Sequence, residues 1–123
     1  YGHMAGDEIL RKLGALLKAC KREGEILARF GGEEFVMCLF NTDSESAILA
    51  AERFRLLVSE HDFLNVAQGL KITLSIGVAV WPQENVTSID ELVKAADKAL
   101  YKSKSLGRDR VTLFEWTANN KSA

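Results

Sequence analysis

Apolar residues recur every three or four positions in three segments of the chain, which is the pattern of an amphipathic helix. The second and third segments each begin with Thr or Ser followed three positions later by Glu, the spacing of a capping box. We therefore expect helices from Asp7 to about Gly24, from Thr42 to about His61, and from Ser88 to about Gly107. The predicted buried stripes are Ile9, Leu10, Leu13, Leu16, Leu17 and Cys20, then Ala47, Ala51, Phe54 and Val58, and finally Leu92, Val93, Ala96, Ala99 and Leu100.

Two short apolar runs, Ile26–Phe30 and Val36–Phe40, flank a segment that begins with two glycines. Such runs on either side of a glycine turn predict a β-hairpin. The second run is apolar throughout, so we expect a covering layer on both of its faces. Because side chains alternate along an extended segment, Glu33 and Glu34 are expected to point to opposite sides.

Residues 72–80 alternate between bulky and small side chains, and Pro82 follows them. The alternation predicts a long strand with one bulky and one small face, which the proline ends. Gly77 inside this strand implies that another backbone or side chain approaches closely. A last strand is expected around Val111–Phe114. The order of helix, strand, strand, helix, strand, helix and strand indicates an α+β or mixed-sheet domain with helices packed on a sheet.

The 123 residues are 47% hydrophobic, which is enough for one globular domain with its own core. A formal net charge of -1 gives no general attraction to nucleic acid or anionic membranes, so phosphate binding would need locally placed basic residues. The sequence shows neither a signal peptide nor an apolar run long enough to span a bilayer. Cys20 and Cys38 lie within apolar patterns, so we predict buried, unpaired thiols in a cytoplasmic protein.

The glycine turn is the strongest candidate for chemistry. Gly31 and Gly32 would allow a ligand to approach the main chain closely. Glu33 and Glu34 supply carboxylate oxygens, which Mg²⁺ prefers and supplements with phosphates and water. This arrangement favours phosphoryl or nucleotidyl transfer. Glycine and acidic residues are also common in polar turns without any chemistry, and the turn taken alone leaves both interpretations open.

Four segments together resemble the GGDEF domain of diguanylate cyclases, in its GGEEF variant, from Gly2 to about Val111. The resemblance implies a nucleotidyl-cyclase palm-like fold, α+β, with helices flanking a mixed, mainly antiparallel central sheet. It predicts a domain over residues 1–114 and a polar tail over 115–123. The matching segments are Gly2-His3 with Gly6-Asp7, Arg29-Phe30-Gly31-Gly32-Glu33-Glu34-Phe35, Ser75-Ile76-Gly77-Val78-Ala79, and Ala96-Asp97-Lys98-Ala99-Leu100-Tyr101-Lys102-Ser103-Lys104 with Gly107-Arg108.

The resemblance also implies an activity and its partners. Two facing domains, each holding one GTP with Mg²⁺ or Mn²⁺, would condense the two nucleotides into cyclic di-GMP. The implied partners are GTP, cyclic di-GMP as product and inhibitor, a second GGDEF domain in a homodimer and an upstream sensor domain, with no nucleic acid. The implied location is cytoplasmic, either free or at the cytoplasmic end of a membrane-bound sensor. The alternative function is a non-catalytic module that binds GTP or cyclic di-GMP and regulates a partner.

Matching positions to the family motif implies a role for individual residues. Glu33 matches the metal-binding carboxylate and Glu34 the second acidic position, and either of them, or neither, takes the proton of the attacking hydroxyl. Gly31 and Gly32 would let the nucleotide lie against the backbone. Both carboxylates are therefore predicted as catalytic residues, with Glu33 as the metal ligand.

The resemblance places further substrate contacts on two predicted helices. Asp7 matches a guanine-reading carboxylate, with a helix N-cap as the alternative role. Leu10 is placed in the guanine pocket, with plain core packing as its alternative. Lys104 and Arg108 match a phosphate-binding pair, and their charge would also stabilise a helix C-terminus.

The chain departs from the family pattern in two places. The family has a strand before the first helix that supplies further metal and nucleotide ligands and lies in the middle of the sheet, and the sequence from Tyr1 onward has no counterpart of it. We therefore expect that the polypeptide extends upstream of Tyr1 or that another chain supplies a strand there. The family's inhibitory product site has an Arg-x-x-Asp segment, whereas here Arg22 is followed by Glu25, which is one methylene longer. Arg53 matches a secondary arginine of that site, and a solvated helix-end cation is the alternative role of Arg22.

Overall fold

The computed structural model describes residues 3–30, 32–61, 63, 71–81 and 88–116. The observed order of helices and strands is the predicted one, which confirms the α+β class. Pro82 and Gly31 lie outside the described residues. The elements are α1 (His3–Cys20), β1 (Ile26–Phe30), β2 (Glu34–Cys38), α2 (Ser44–Glu60), β3 (Ile76–Val78), α3 (Ile89–Ser105) and β4 (Val111–Leu113).

The first compact unit, Tyr1–Asn41 with Leu56–Ile72, contains α1, the β1–β2 hairpin and the end of α2. Its buried side chains include Leu13 and Leu17, two members of the predicted α1 stripe. Val58 and Phe63 are also buried, and the Phe63 ring meets His61 edge to face at 4.6 Å between centroids. Apolar burial around α1 and the end of α2 therefore forms the core of this unit.

The second compact unit, Thr42–Arg55 with Thr73–Ala123, contains the start of α2, α3 and a parallel β3–β4 pair. A Cβ at Gly77 of β3 would overlap the carbonyl oxygen of Ala96 and would come within 2.8 Å of the Leu100 Cα. The predicted close approach at Gly77 is thus confirmed, and the approaching group is the α3 backbone. Further core side chains of this unit are Ala51, Phe54, Ala95 and Ala99.

Ser103 is the fully buried polar side chain of the same junction. Its hydroxyl donates to the Ile76 carbonyl at 2.9 Å and lies 2.6 Å from the Thr112 hydroxyl. A hydroxyl has a single proton, so Thr112 donates in the second bond when Ser103 donates in the first. Three elements, α3, β3 and β4, are joined through this one side chain.

Both ends of α3 have the predicted features, a capping serine at the start and a glycine stop at the end. The Ser88 hydroxyl accepts from the Glu91 backbone N–H, as the first half of a capping box requires. At the other end Gly107 adopts a φ of +124°, and its N–H bonds the Lys104 carbonyl at 3.4 Å. The Arg108 N–H bonds the Ser103 carbonyl at 2.9 Å, which completes a Schellman motif.

The other two helices differ from prediction at their ends. Helix α1 begins at His3, so Asp7 lies inside it and the N-cap alternative for Asp7 is wrong. It ends at Cys20 instead of Gly24 because residues 22–25 form a turn. Asp43, not Thr42, caps α2, since the Asp43 carboxylate accepts from the Ser46 N–H at 2.8 Å. This bond lowers the pKa of Asp43 below its ordinary value of 3.8.

Expectations for the strands also need correction. The second hairpin strand is Glu34–Cys38, two residues earlier than predicted, because Glu34 pairs with Phe30. Its side chains are half-buried or exposed, and Phe40 is 62% exposed, so the expected covering on both faces is absent in the described residues. The thiols are free as predicted, but Cys38 is exposed and Cys20 only half-buried.

The predicted long strand over residues 72–80 is reduced to Ile76–Val78. A strand needs a hydrogen-bonded neighbour, and β4, the neighbour that the structure describes, is itself three residues long. The described strands form two two-stranded sheets, antiparallel β1–β2 and parallel β3–β4, with no ladder between the sheets in that part of the chain. The additional central strand implied by the resemblance stays a prediction.

Candidate functional site

The hairpin loop carries the predicted metal ligand. Because Phe30 pairs with Glu34, Gly32 and Glu33 belong to the loop between the two strands. Gly32 has a φ of +52°, a left-handed conformation that glycine adopts at little cost. Glu33 lies on the loop and Glu34 opens β2, so the two residues do not share one extended segment and the alternation argument does not apply to Glu33. Both side chains belong to exposed residues.

Arg29 braces this loop. Its guanidinium donates from two nitrogens to the Gly32 carbonyl, at 3.1 Å and 2.7 Å. The bonds span the loop from β1 to the residue before Glu33 and therefore restrict the backbone that presents Glu33. Arg29 stands two positions before the glycine pair in the sequence, but the sequence pattern alone did not indicate a role for it.

The donor set of the hairpin fits a magnesium ion only in part. Among the described residues no group of three or more His, Cys, Asp or Glu side chains is placed to hold a metal. Mg²⁺ commonly uses one or two protein carboxylates together with phosphates and water. Glu33 and Glu34 are two adjacent exposed residues, so the hairpin offers the number of carboxylates that such a site uses.

Asp7 and Leu10 lie three positions apart on α1, in the same unit as the hairpin. Residues with this spacing share one face of a helix. Asp7 is exposed and Leu10 is half-buried, so the Leu10 side chain is neither fully in the core nor fully open. An exposed carboxylate beside a partly open apolar side chain could contact the polar edge and the face of a purine.

Lys104 and Arg108 lie at the C-terminal end of α3, which belongs to the second unit. Lys104 is in the last turn, and Arg108 follows the Schellman glycine as an exposed residue. The structure thus brings these two basic residues to one helix end. Each also provides positive charge where the helix dipole favours it.

The loop after α3 holds a cluster that pattern reasoning missed. Arg108 and Asp109 adopt φ values of +65° and +46°, which is uncommon for residues other than glycine. The Arg55 guanidinium of α2 donates to the Asp109 carboxylate at 2.8 Å. It also donates to both carboxylate oxygens of Glu52, at 2.9 Å and 2.8 Å. These bonds raise the pKa of Arg55, and the bonds from Arg55 lower the pKa of Glu52.

Arg22 and Glu25, the pair expected at the inhibitory site, form a closed turn. The Glu25 N–H bonds the Arg22 carbonyl at 3.1 Å, and the Glu25 carboxylate accepts from the Arg22 N–H at 2.8 Å. Gly24 has a φ of +89°, the sign that a type II turn has at its third position. The Glu25 carboxylate therefore serves the turn, while the Arg22 side chain belongs to an exposed residue.

Arg53, the third residue expected at the inhibitory site, belongs to the second unit. Its guanidinium carbon lies 5.0 Å from the centroid of the Phe54 ring. One of its terminal nitrogens is buried and makes no hydrogen bond in the described structure. The Arg53 guanidinium therefore lies against the Phe54 ring, and its buried terminal nitrogen has no hydrogen-bond partner in the described structure.

Comparison with known proteins identifies the family. The family described as "Diguanylate cyclase, GGDEF domain" matches residues 1–110. The chain is 42% identical over 113 residues to Diguanylate cyclase A of Treponema denticola, covering 92% of this chain and 30% of that protein. The chain thus spans less than a third of that relative's length.

Solved structures support the same family. The chain is similar to the active GGEEF domain of a diguanylate cyclase from Vibrio cholerae, with a TM-score of 0.85 and 34% identity, over 95% of this chain and 73% of that one. It is also similar to the GGDEF domain of DgcB from Caulobacter crescentus in complex with c-di-GMP, with a TM-score of 0.81 and 32% identity. That match covers 94% of this chain and 68% of the other. No helix in the described part of this chain is long and apolar enough to cross a membrane.

Proposed function

The chain belongs to the GGDEF domain family of diguanylate cyclases, and on that premise we propose that it condenses two GTP into cyclic di-GMP and two pyrophosphates. In each half of the reaction the 3′-oxygen of one GTP bonds to the α-phosphorus of the other. The bond from that phosphorus to pyrophosphate breaks, and the hydroxyl proton leaves to a base. The observation that carries the proposal is the braced hairpin loop with its exposed carboxylate, Glu33.

The hairpin is proposed as the catalytic element. Glu33 would hold Mg²⁺, or Mn²⁺ in its place, and Glu34 would assist it. Such an ion supplies positive charge that offsets the negative charge of a triphosphate during phosphoryl chemistry. Gly31 and Gly32 would let the nucleotide lie against the main chain, and Arg29 holds the loop that presents Glu33.

Substrate recognition is proposed for the two helix segments. The Asp7 carboxylate can accept from the N1 and N2 donors of guanine, and Leu10 offers an apolar contact to the base. Lys104 and Arg108 would bind phosphate oxygens through charge-assisted hydrogen bonds. Because one domain would hold one GTP, the condensation needs a second copy facing the first, and an upstream sensor domain would control that encounter.

The direct test is turnover by the full-length protein. We expect purified protein with GTP and MgCl₂ to release cyclic di-GMP and pyrophosphate in a ratio of one to two, as measured by mass spectrometry and a coupled pyrophosphate assay. Protein that binds GTP or cyclic di-GMP tightly but releases neither product would support the non-catalytic module instead. Absence of both binding and turnover would contradict both functions.

Cyclic di-GMP is proposed as an inhibitor that binds through Arg22. An arginine fork can bind phosphate or a guanine edge with two parallel hydrogen bonds. The Glu25 carboxylate already accepts a hydrogen bond from the Arg22 backbone N–H, so the test alters the Arg22 side chain. We expect Arg22→Ala to relieve inhibition, and equal inhibition of wild type and Arg22→Ala would contradict this site.

A further inference from the structure

We propose that Arg55 is a positioning residue, which holds the loop after α3 so that Arg108 can bind the phosphates of GTP. This inference deepens the proposed function and rests on it. Arg108 is assigned to phosphate by its match to the family motif. Arg55, which lies more than fifty positions earlier on α2, is joined to that loop through Asp109.

The loop has an unusual backbone that needs external support. Gly107, Arg108 and Asp109 all have positive φ values in succession, although two of them carry side chains. Residues with side chains persist in this conformation when their surroundings hold them there, and such residues concentrate at ligand sites. The backbone at Arg108 is therefore a conformation that other contacts must maintain.

Contacts from several directions provide that support. The Asp109 N–H bonds the Ser75 hydroxyl at 3.2 Å, and the Arg108 N–H bonds the Ser103 carbonyl at 2.9 Å. The Arg110 guanidinium donates to the Arg108 carbonyl at 2.9 Å. Arg55 adds an ion pair, in which its guanidinium donates to the Asp109 carboxylate at 2.8 Å and both partners are charged.

Arg55 is itself held in place. Its side chain is 18% exposed, and its guanidinium bonds both Glu52 oxygens on the same helix. The edge formed by Nε and one terminal nitrogen is thus bonded to Glu52 of α2, while the other terminal nitrogen donates to Asp109. A lysine could keep the charge but could not make both contacts with one fixed geometry, because its ammonium is a point charge without a planar fork.

The test measures binding of a GTP analogue with a methylene group between the α and β phosphates, by calorimetry on the full-length protein well below its melting temperature. We expect Arg55→Lys and Asp109→Asn each to weaken binding roughly tenfold, the size of one lost hydrogen bond to a charged group. Guanosine binding should stay unchanged. Asparagine tolerates positive φ, so Asp109→Asn removes the charge without adding backbone strain.

A double-mutant cycle separates positioning from direct contact. Arg55→Lys added to Arg108→Ala should cause no further loss, because the residue to be positioned is already gone. The matched control is Arg11→Lys, which alters another arginine paired with a glutamate three positions away, Glu8, and should leave binding unchanged.

Two results would overturn the positioning role of Arg55. One is a binding loss in the double variant equal to the sum of the losses from Arg55→Lys and Arg108→Ala. The other is a lower melting temperature for Arg55→Lys and Asp109→Asn with normal binding of the analogue, which would show a purely structural role. Normal binding by wild type with no effect of Arg55→Lys would overturn this inference alone. Absence of analogue binding by wild type would overturn the proposed function and this inference with it.

Discussion

The β1–β2 hairpin and the contact between β3 and α3 differ in how tightly each is packed. At Gly77 the strand lies so close to the α3 backbone that a single Cβ would overlap it, and Ser103 beside it is fully buried. The loop that carries Glu33 is exposed, and a Cβ added at Gly32 would meet nothing within 4 Å. Mutations at the β3–α3 contact should therefore change mainly stability, and mutations in the hairpin loop should change mainly the proposed chemistry.

The largest effect is expected for Gly77→Ala. The added methyl overlaps backbone atoms of Ala96 and Leu100, which cannot rotate away as side chains can, so we expect a loss of about 3 kcal/mol or more in the free energy of unfolding. Urea denaturation would measure it.

Gly6→Ala is the matched control for that change. Gly6 lies within α1, and a Cβ there meets no atom within 4 Å. Because alanine is favoured over glycine in a helix, we expect Gly6→Ala to stabilise the protein by about 0.5–1 kcal/mol. Equal stabilities for the two variants would show that the β3–α3 contact is looser than described.

The next effect concerns binding at the end of α3. Lys104→Ala with Arg108→Ala should weaken GTP binding by roughly a hundredfold, because each removes a charge-assisted contact worth about 1.5 kcal/mol or more. Guanosine binding should change little, since it has no phosphate. Calorimetry with both ligands would measure the difference.

Lys94→Ala with Lys98→Ala is the control for charge. These two lysines are exposed on the same helix, so their removal changes the net charge equally without touching the helix end. A loss of GTP affinity equal to that of the Lys104 and Arg108 pair would indicate general electrostatics instead of a phosphate site.

A smaller change in stability is expected from Ser103→Ala. The substitution leaves the Ile76 carbonyl and the Thr112 hydroxyl without their shared partner, at a cost of about 1–3 kcal/mol. Ser105→Ala, an exposed position two residues on, should be nearly neutral. Thermal melting of both variants would compare them, and equal melting temperatures would contradict the role of the buried hydroxyl.

The smallest effect is expected from the pH dependence of the α2 cap. The pKa of Asp43 is lowered in the folded state by the hydrogen bond that its carboxylate accepts from the Ser46 N–H. Its stabilising effect is therefore present above the unfolded pKa near 3.8 and is lost as the pH falls through the folded value. We expect the stability difference between wild type and Asp43→Asn to shrink from pH 6 to pH 3. A difference independent of pH would contradict this role.

The sequence predicted most of the fold because local signals governed it. Helical periodicity located all three helices, and Ser88 and Gly107 marked the ends of α3. Prediction failed where a distant partner decides the outcome, as at residues 72–80, where the extent of β3 depends on β4. The thiol of Cys38 was wrongly expected to be buried, because an apolar run does not reveal whether anything covers it.

The predicted site residues were found from sequence only where a motif contains them. Matching to the family motif identified Glu33, Lys104 and Arg108, because a motif is defined by the order and spacing of residues along the chain. It gave no role to Arg29 and none to the contact of Arg55 with Asp109, since that contact joins positions 54 residues apart. Supporting residues of this kind become visible only when the fold brings them to the loops they hold.

The most direct test of the account compares Glu33→Gln with Glu60→Gln in the full-length protein. Both replace an exposed glutamate of the first unit by its uncharged isostere. We expect both variants to unfold at the same temperature as wild type. We expect cyclic di-GMP synthesis to fall by roughly a hundredfold or more in Glu33→Gln alone, because that change removes the proposed metal ligand. Wild-type turnover by a folded Glu33→Gln protein would contradict the assignment of the hairpin as the catalytic element.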